Sequence, residues 1–458
     1  MTRETAQAST HPLAYVRRSR GWSYQDIARV IADNARALGV PMAARREKIW
    51  RWEHWGVVPE RDSQRALARA LGVPGEEIDT RPWPQWLPAQ DGMPSGLPWT
   101  RAGSLSALAS LLDHGPRGDH DDPAGRPVAV GPALHEAVAD WTAAVARGAA
   151  LDADADTNSG TDTGTDTGAG EPTVRPHPGV VDEQTLSWLE SGLLGLRRLD
   201  DRLGGAAVQH RVEADLGLAL GLLRHGPYAR TLETRLLRTA AGLAQLGGWA
   251  ATDAGRPYTA QRHFLTGLRL ADNAQDLPLA ASIWAGLSLQ AVLAGRPKDG
   301  LAAVDAAGSV AAAATRRTRA MLATRRARAH AGLGDEMACR SALDEAAQLL
   351  DAAGTDDDPL WLYWFDDAEL AAQTGTALLD LGLAHEGRPE LERALKLQNR
   401  AYLRDRAIYS ARAASARFRT GDPDGGHELG QEALRLAQYC GSPRLTAALN
   451  ALRPAEDG

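Results

Sequence analysis

The densest set of side chains able to do chemistry lies at residues 45–53, Arg45-Arg46-Glu47-Lys48-Ile49-Trp50-Arg51-Trp52-Glu53. On a helix Ile49 and Trp52, three apart, face inward together. Arg46, Glu47, Lys48 and Trp50 then stand outward or flank that face, with Arg51 close by. Arginine clamps phosphate or pairs bidentately with guanine, so this pattern suits recognition of a polyanion. Charge supports the same reading. Residues 11–75 carry twelve Arg/Lys against six Asp/Glu, although the chain as a whole has a formal net charge of -7. A basic head on an acidic body directs attention to the head as the place for a polyanionic partner. The same helix face, taken alone, also reads as an ordinary solvated surface.

Other constellations are weaker. Trp361-Leu362-Tyr363-Trp364-Phe365-Asp366-Asp367 sets four aromatics beside two carboxylates. The favoured reading is structural, with Asp366 or Asp367 as an N-cap and the rings buried between helices. Arg316, Arg317, Arg319, Arg325, Arg326 and Arg328 form a partly helical stripe, expected to be a solvated face. Trp52 is expected in the core, while Trp50 and Trp55 read equally well as core or as a partner surface.

Signatures of catalysis are missing. None of the three lysines (Lys48, Lys298, Lys396) follows a glycine, so a GK-type phosphate loop is absent. There is no GxSxG elbow and no HExxH helix. His120 beside Asp121 and Asp122 has no further ligands in range, and Glu76-Glu77 reads as a helix cap. Cys339 and Cys440 are the only cysteines and make neither a disulfide framework nor a zinc site. The expectation is a non-enzyme without cofactor or metal. The N-terminus has no apolar h-region and the chain no long apolar run, so no signal peptide and no membrane span are expected, and a cytoplasmic setting follows.

The elements that must position these residues are all helical. Ala and Leu dominate and strand formers are few. In the head, a first helix covers 11–20, with Leu13 and Val16 inward and Gly21 as its stop. Ser23 caps a second with Ile27, Ala28, Ile31 and Leu38 inward, broken at Gly39-Val40-Pro41. A third runs from Ala43 to His54, closed by Gly56 and Pro59. Asp62 or Ser63 caps a fourth ending at Gly72, and an acidic turn, GEEID, follows. Residues 81–100, rich in Pro and Trp, read as extended. Short helices fit 103–113 and 133–147, and 152–178 reads as a low-complexity linker. From Val181 onward helix follows helix, punctuated by Gly255, Gly295, Gly334, Gly387 and Gly421. Nine residues after the first three come Phe264, Val304 and Leu343; twelve after come Gly267, Ala307 and Ala346, and Ala433 follows Gly421 by the same step. A large residue and then a small one suits closely packed hairpins of a helical solenoid.

Residues 11–75 resemble the Cro/repressor-type, or XRE-family, helix-turn-helix domains through LAYVRRSRGWSYQDIA, IWRWEHW-GVVP and RALARALGVP, in that order. The resemblance implies double-stranded DNA as partner. It implies base reading by Arg46, Glu47 and Arg51, and phosphate contact by Ser23, Tyr24 and Gln25, with Arg45 and Lys48 adjacent. It implies a structural ion pair between Arg17 and Glu53. Two features depart from the family: the long connection within ADNARALGVPMAA, and Trp50 where a small polar residue is usual. The C-terminal region is similar to the tetratricopeptide-like regions of actinobacterial regulators, through GWAATDAGRPYTAQRHFLTGLRLA, RARAHAGLGDEMACRSALDEAAQLL and DDDPLWLYWFDDAELAAQTG. That likeness implies peptide or protein binding, or homodimerisation. The expected organisation is an all-α chain: a helix-turn-helix head (1–80), a connector (81–180) holding the flexible linker, and an α-solenoid of TPR-like hairpins (181–458). Two functions fit it: a DNA-binding transcriptional regulator, or a protein-interaction adaptor whose head no longer reads DNA specifically.

Overall fold

The computed structural model describes residues 11–20, 22–80, 82–84, 86–87, 97–113, 128–158, 182–225, 229–310, 313–354 and 358–452. Gly21, His120 and the linker residues 159–178 lie outside them. Every regular element among the described residues is a helix. The chain divides into two compact units, Met1–Met93 with Pro116–Ala133, and Pro94–Gly115 with Leu134–Gly458.

The first unit holds α1 (Pro12–Ser19), α2 (Tyr24–Ala37), α3 (Arg46–Trp55), α4 (Arg61–Leu71) and α5 (Gly75–Thr80). Leu13, Val16, Ile27, Ile31, Ile49, Trp52, Leu67 and Leu71 share one core. Each such side chain contributes roughly 1.5–3 kcal/mol by leaving water. Ser23 and Asp26 form a reciprocal capping box that starts α2. Gly56 and Gly72 stop α3 and α4 in left-handed geometry, where a Cβ would be strained.

Several head expectations change. Leu38 is the C-cap of α2 and 43% exposed, so it is not a core position. ADNARA belongs to α2 itself, and the connection to α3 is residues 38–45. The fourth helix begins at Arg61 without a side-chain cap. GEEID is the helix α5, with Glu76 and Glu77 in its first turn, where the helix dipole favours anions. Within the Pro/Trp-rich stretch, Trp83 packs on the head core and Trp86 is buried in it, the Trp86 indole N–H donating to Gln64 Oε1 at 3.0 Å.

The second unit holds α6 (Arg101–Asp113), α7 (Pro132–Asn158), α8 (Glu183–Leu203), α9 (Gly205–His225), α10 (Arg230–Asp253), α11 (Pro257–Asn273), α12 (Leu277–Leu293), α13 (Pro297–Gly308), α14 (Arg316–Leu333), α15 (Glu336–Asp351), α16 (Asp367–Asp380), α17 (Ala384–Leu397), α18 (Leu403–Arg419), α19 (Pro423–Ala437) and α20 (Pro443–Asn450). Helices pair as α10–α11, α12–α13, α14–α15, α16–α17 and α18–α19, and the first members also touch in succession from α10 to α18. α8 packs on both α10 and α18, so the row curls back on itself. Part of the stretch read as a connector belongs here: α6 packs on α9 and α11, and Trp141 of α7 meets Trp284 of α12, both fully buried. α7 also continues through Asn158, beyond the expected end at 147, because ALDADAD favours helix more than the Gly/Thr repeats after it.

Gly255, Gly295, Gly334 and Gly421 have positive φ at the hairpin turns. Gly387 does not turn the chain. It lies inside α17, where a Cβ would meet the Gly375 carbonyl oxygen at 2.8 Å, and Gly382 (φ 86°) makes the turn. With Gly382 in its place the intervals from Gly295 to Gly421 become 39, 48 and 39 residues. Phe264, 1% exposed, is wedged between Gly248 of α10 and Gly286 of α12.

Candidate nucleic-acid interface

α3 is seated from three directions. Ile49 and Trp52 anchor its inner face at 2% and 5% exposure. From α1, Arg17 donates to both oxygens of Glu53, at 2.7 and 3.2 Å. The Glu53 side chain is almost fully covered, so this is a fork-to-fork pair shielded from water. Arg17 also donates to the Trp22 carbonyl at 3.1 Å and lies 4.1 Å from the Tyr24 ring centroid, tying the entry of α2 to the same point.

The opposite face is open. Arg45, Arg46, Glu47, Trp50 and Arg51 are all exposed. The Arg45 and Arg51 side chains make no hydrogen bond or ion pair to any described residue. Arg46 reaches the neighbouring Glu47 carboxylate at 3.2 Å, with both side chains about 70% exposed. The backbone N–H of Glu47 itself, then Arg46, holds the Glu47 carboxyl below its ordinary value, keeping it an acceptor. Lys48 is half-buried and its ammonium lies 3.8 Å from Glu60.

The expected phosphate contacts are not gathered at one end. Tyr24 lies beside the last turn of α3, its ring centroid 6.3 Å from that of His54. Arg46 begins the helix, roughly 12 Å away along an axis rising about 1.5 Å per residue. Ser23–Gln25 and Arg45–Lys48 therefore bracket α3. Ser23 is already engaged: its hydroxyl donates to Asp26 Oδ2 at 2.6 Å and accepts from the Asp26 N–H. Hydrogen bonds from Ser23 hold the Asp26 carboxyl below its ordinary value, so an anion already occupies the start of α2. Burial raises the Tyr24 phenol, which stays a neutral donor at any ordinary pH, and Gln25 is half-buried.

Sequence reasoning left His54 and the aromatic surface unresolved. Trp50 stacks on His54 at 4.5 Å with an interplanar angle of 12°, and meets Trp55 edge-on at 5.2 Å. The i,i+4 spacing of Trp50 and His54 is the signal that could have found this pair. Trp55 is 66% exposed, and Val57 and Val58 extend the patch. Trp52 points the other way, into the core.

No family model, curated protein or solved structure matches the chain. Among the described residues no helix is long and apolar enough to cross a membrane.

Proposed function

We propose that the protein is a DNA-binding transcriptional regulator, with α3 as its reading helix and the helical hairpins, a TPR-like solenoid in this reading, as the region for partner binding or dimerisation. The observation that carries the reading is the two-sidedness of α3. One face is fixed by Ile49, Trp52 and the Arg17–Glu53 pair, and the other presents Arg46, Glu47 and Arg51 in fixed register. A reading helix must be immobile on its inner side, so that outward forks meet base edges in a defined geometry. Arg46 and Arg51 suit guanine, Glu47 suits the cytosine amine, and Arg45, Lys48, Tyr24 and Gln25 flank them toward phosphates. Two heads joined by dimerisation would read two half-sites.

The test is selective binding of the full-length protein to genomic fragments, its own promoter included, at two salt concentrations with competitor DNA. Arg46→Ala is expected to cost roughly 1–3 kcal/mol on the selected site and to relax preference at one position. An equal loss on every sequence removes Arg46 from base reading. The exposed Trp50–His54–Trp55 patch favours a second reading, a protein-interaction adaptor. Absence of selective DNA binding, with tight protein partnership lost in Trp55→Ala, selects it.

A further inference from the structure

The middle of the second unit is charged where a helical array of this kind is expected to be apolar. Arg404 of α18, 2% exposed, donates to Asp200 of α8 at 2.8 Å and to Asp405 at 3.2 Å. Arg444 of α20 donates to Asp405 at 3.0 Å, and both guanidinium groups lie against the Trp249 ring of α10. These contacts join the two ends of the curled row. Each carboxylate partner of Arg404 and Arg444 lies within ion-pair distance, Asp200 keeping one buried oxygen without a hydrogen bond.

Arg325, on α14, is the exception. It is 6% exposed, its Nη1 is sealed from solvent, and its side chain makes no hydrogen bond or ion pair to any described residue. Its guanidinium sits 5.6 Å from the centroid of the Trp364 ring. The nearest carboxyl influence is Glu369 of α16, beyond ion-pair distance, and that carboxyl is already occupied. Tyr409 donates to it at 2.6 Å and Gln373 at 2.8 Å. One turn further along α14, Arg328 has the ordinary solution, with Asp380 at 3.1 Å and Gln373 at 3.2 Å. A buried guanidinium without a carboxylate partner costs several kcal/mol that an apolar side chain of like size would not.

We propose that the polar centre formed by α14, α16 and α18 is a binding site for a small anion, a carboxylate- or phosphate-bearing molecule, recognised by the Arg325 guanidinium with Trp364 as its aromatic wall. A carboxylate or phosphate edge matches the planar fork of arginine and supplies the missing acceptors. The Tyr409 hydroxyl and the Glu369 carboxyl bound the site on the side of α16 and α18. The assignment does not depend on what the head binds.

The test uses the full-length protein and its tryptophan fluorescence, titrated with sodium acetate and, separately, with inorganic phosphate, ionic strength being held constant with sodium chloride. Wild type should give a saturable change with at least one anion, and the stronger of the two identifies the ligand head group. Arg325→Met should weaken it by at least about tenfold, while Arg326→Met, on the same helix but paired outward with Glu345, should titrate as wild type. In chloride alone Arg325→Met should melt no lower than wild type, since it removes an uncompensated charge. No saturable response to either anion, or an undiminished one in Arg325→Met, overturns the proposal. So does a marked fall in the melting temperature of Arg325→Met, or its failure to fold, because the guanidinium would then already have a partner within the chain.

Discussion

Glu53→Gln separates the framework of the first unit from the exposed face of α3. The substitution keeps the shape of the side chain but removes the charge that answers Arg17. Glu53 is 2% exposed and Arg17 12% in their side chains, and the two bonds between them are 2.7 and 3.2 Å. Breaking a buried pair by removing one partner costs about 3–5 kcal/mol. Two features bring that down here: Gln retains one acceptor oxygen, and Arg17 keeps the Trp22 carbonyl and the Tyr24 ring. A loss of about 2–3 kcal/mol is therefore expected in the local stability of α1 and α3. Native-state hydrogen exchange reads it directly, element by element. At 1.4 kcal/mol per factor of ten, amides in α3 should exchange roughly 30- to 150-fold faster, with amides in α12 and α14 of the second unit unchanged. DNA affinity should fall together with this loss of order. Unaltered exchange in α3 would refute the claim that the pair seats the helix, and equal acceleration in both units would mean that it does not act locally.

The remaining expectations are briefer. Arg45→Ala should weaken DNA binding about equally on all sequences and reduce the salt slope by about one, where Arg46→Ala should be sequence-dependent; identical salt slopes for Arg45→Ala and wild type would remove Arg45 from phosphate contact. Gly286→Ala should destabilise the repeats by about 1–2 kcal/mol in denaturant titration, because its Cβ would sit 2.7 Å from a Phe264 ring held from the other side by Gly248. Gly217→Ala, with open space around it on α9, should instead gain up to about 1 kcal/mol from helix propensity. Burial pushes the Asp201 carboxyl, which accepts from the Tyr363 hydroxyl, up to about 6. A raised folded pKa stabilises below the unfolded value near 3.8 and loses that contribution as pH rises through about 6. Asp201→Asn should therefore be more stable than wild type at pH 7.5, with the difference vanishing near pH 4. His263, pushed down to about 3 by burial, acts with the opposite sign but equally in both proteins, so it cancels in that difference.

Local rules carried most of the outline. Ser23 followed by Asp26 declares the start of α2, and the inward positions Ile27, Ile31, Ile49 and Trp52 follow from helical spacing alone. Asp366 caps α16, its carboxylate accepting from the Glu369 N–H at 3.0 Å, with Phe365 fully buried behind it. The failures share one cause: a side chain's surroundings are set by helices far away in sequence. Gly387-Arg388-Pro389 repeats the pattern of Gly255-Arg256-Pro257, yet the close approach of α16 at Gly375 places it inside a helix. Arg325 and Arg328 were expected among solvated arginines. They are buried because α14 is packed by α12, α13, α15 and α16, leaving little of its circumference to water. On the same helix Arg316 is exposed, and Arg317, Arg319 and Arg326 are half-buried.

The two units spend their arginines in opposite ways, and the contrast bears on function. In the head, Arg45, Arg46 and Arg51 are held out into solvent, where an uncompensated cation costs little and attracts a polyanion at long range. In the second unit Arg325 and Arg404 are taken out of water, where a cation without a partner is expensive. Arg404 resolves that cost within the chain, by joining α18 to α8 through Asp200. Arg325 does not resolve it. Stability alone would select an apolar residue at 325, as it has selected Ala323, Ala327 and Ala329 around it. An unanswered charge at that position, one turn from an arginine whose two terminal nitrogens reach Gln373 and Asp380, is the feature on which the proposed anion site rests.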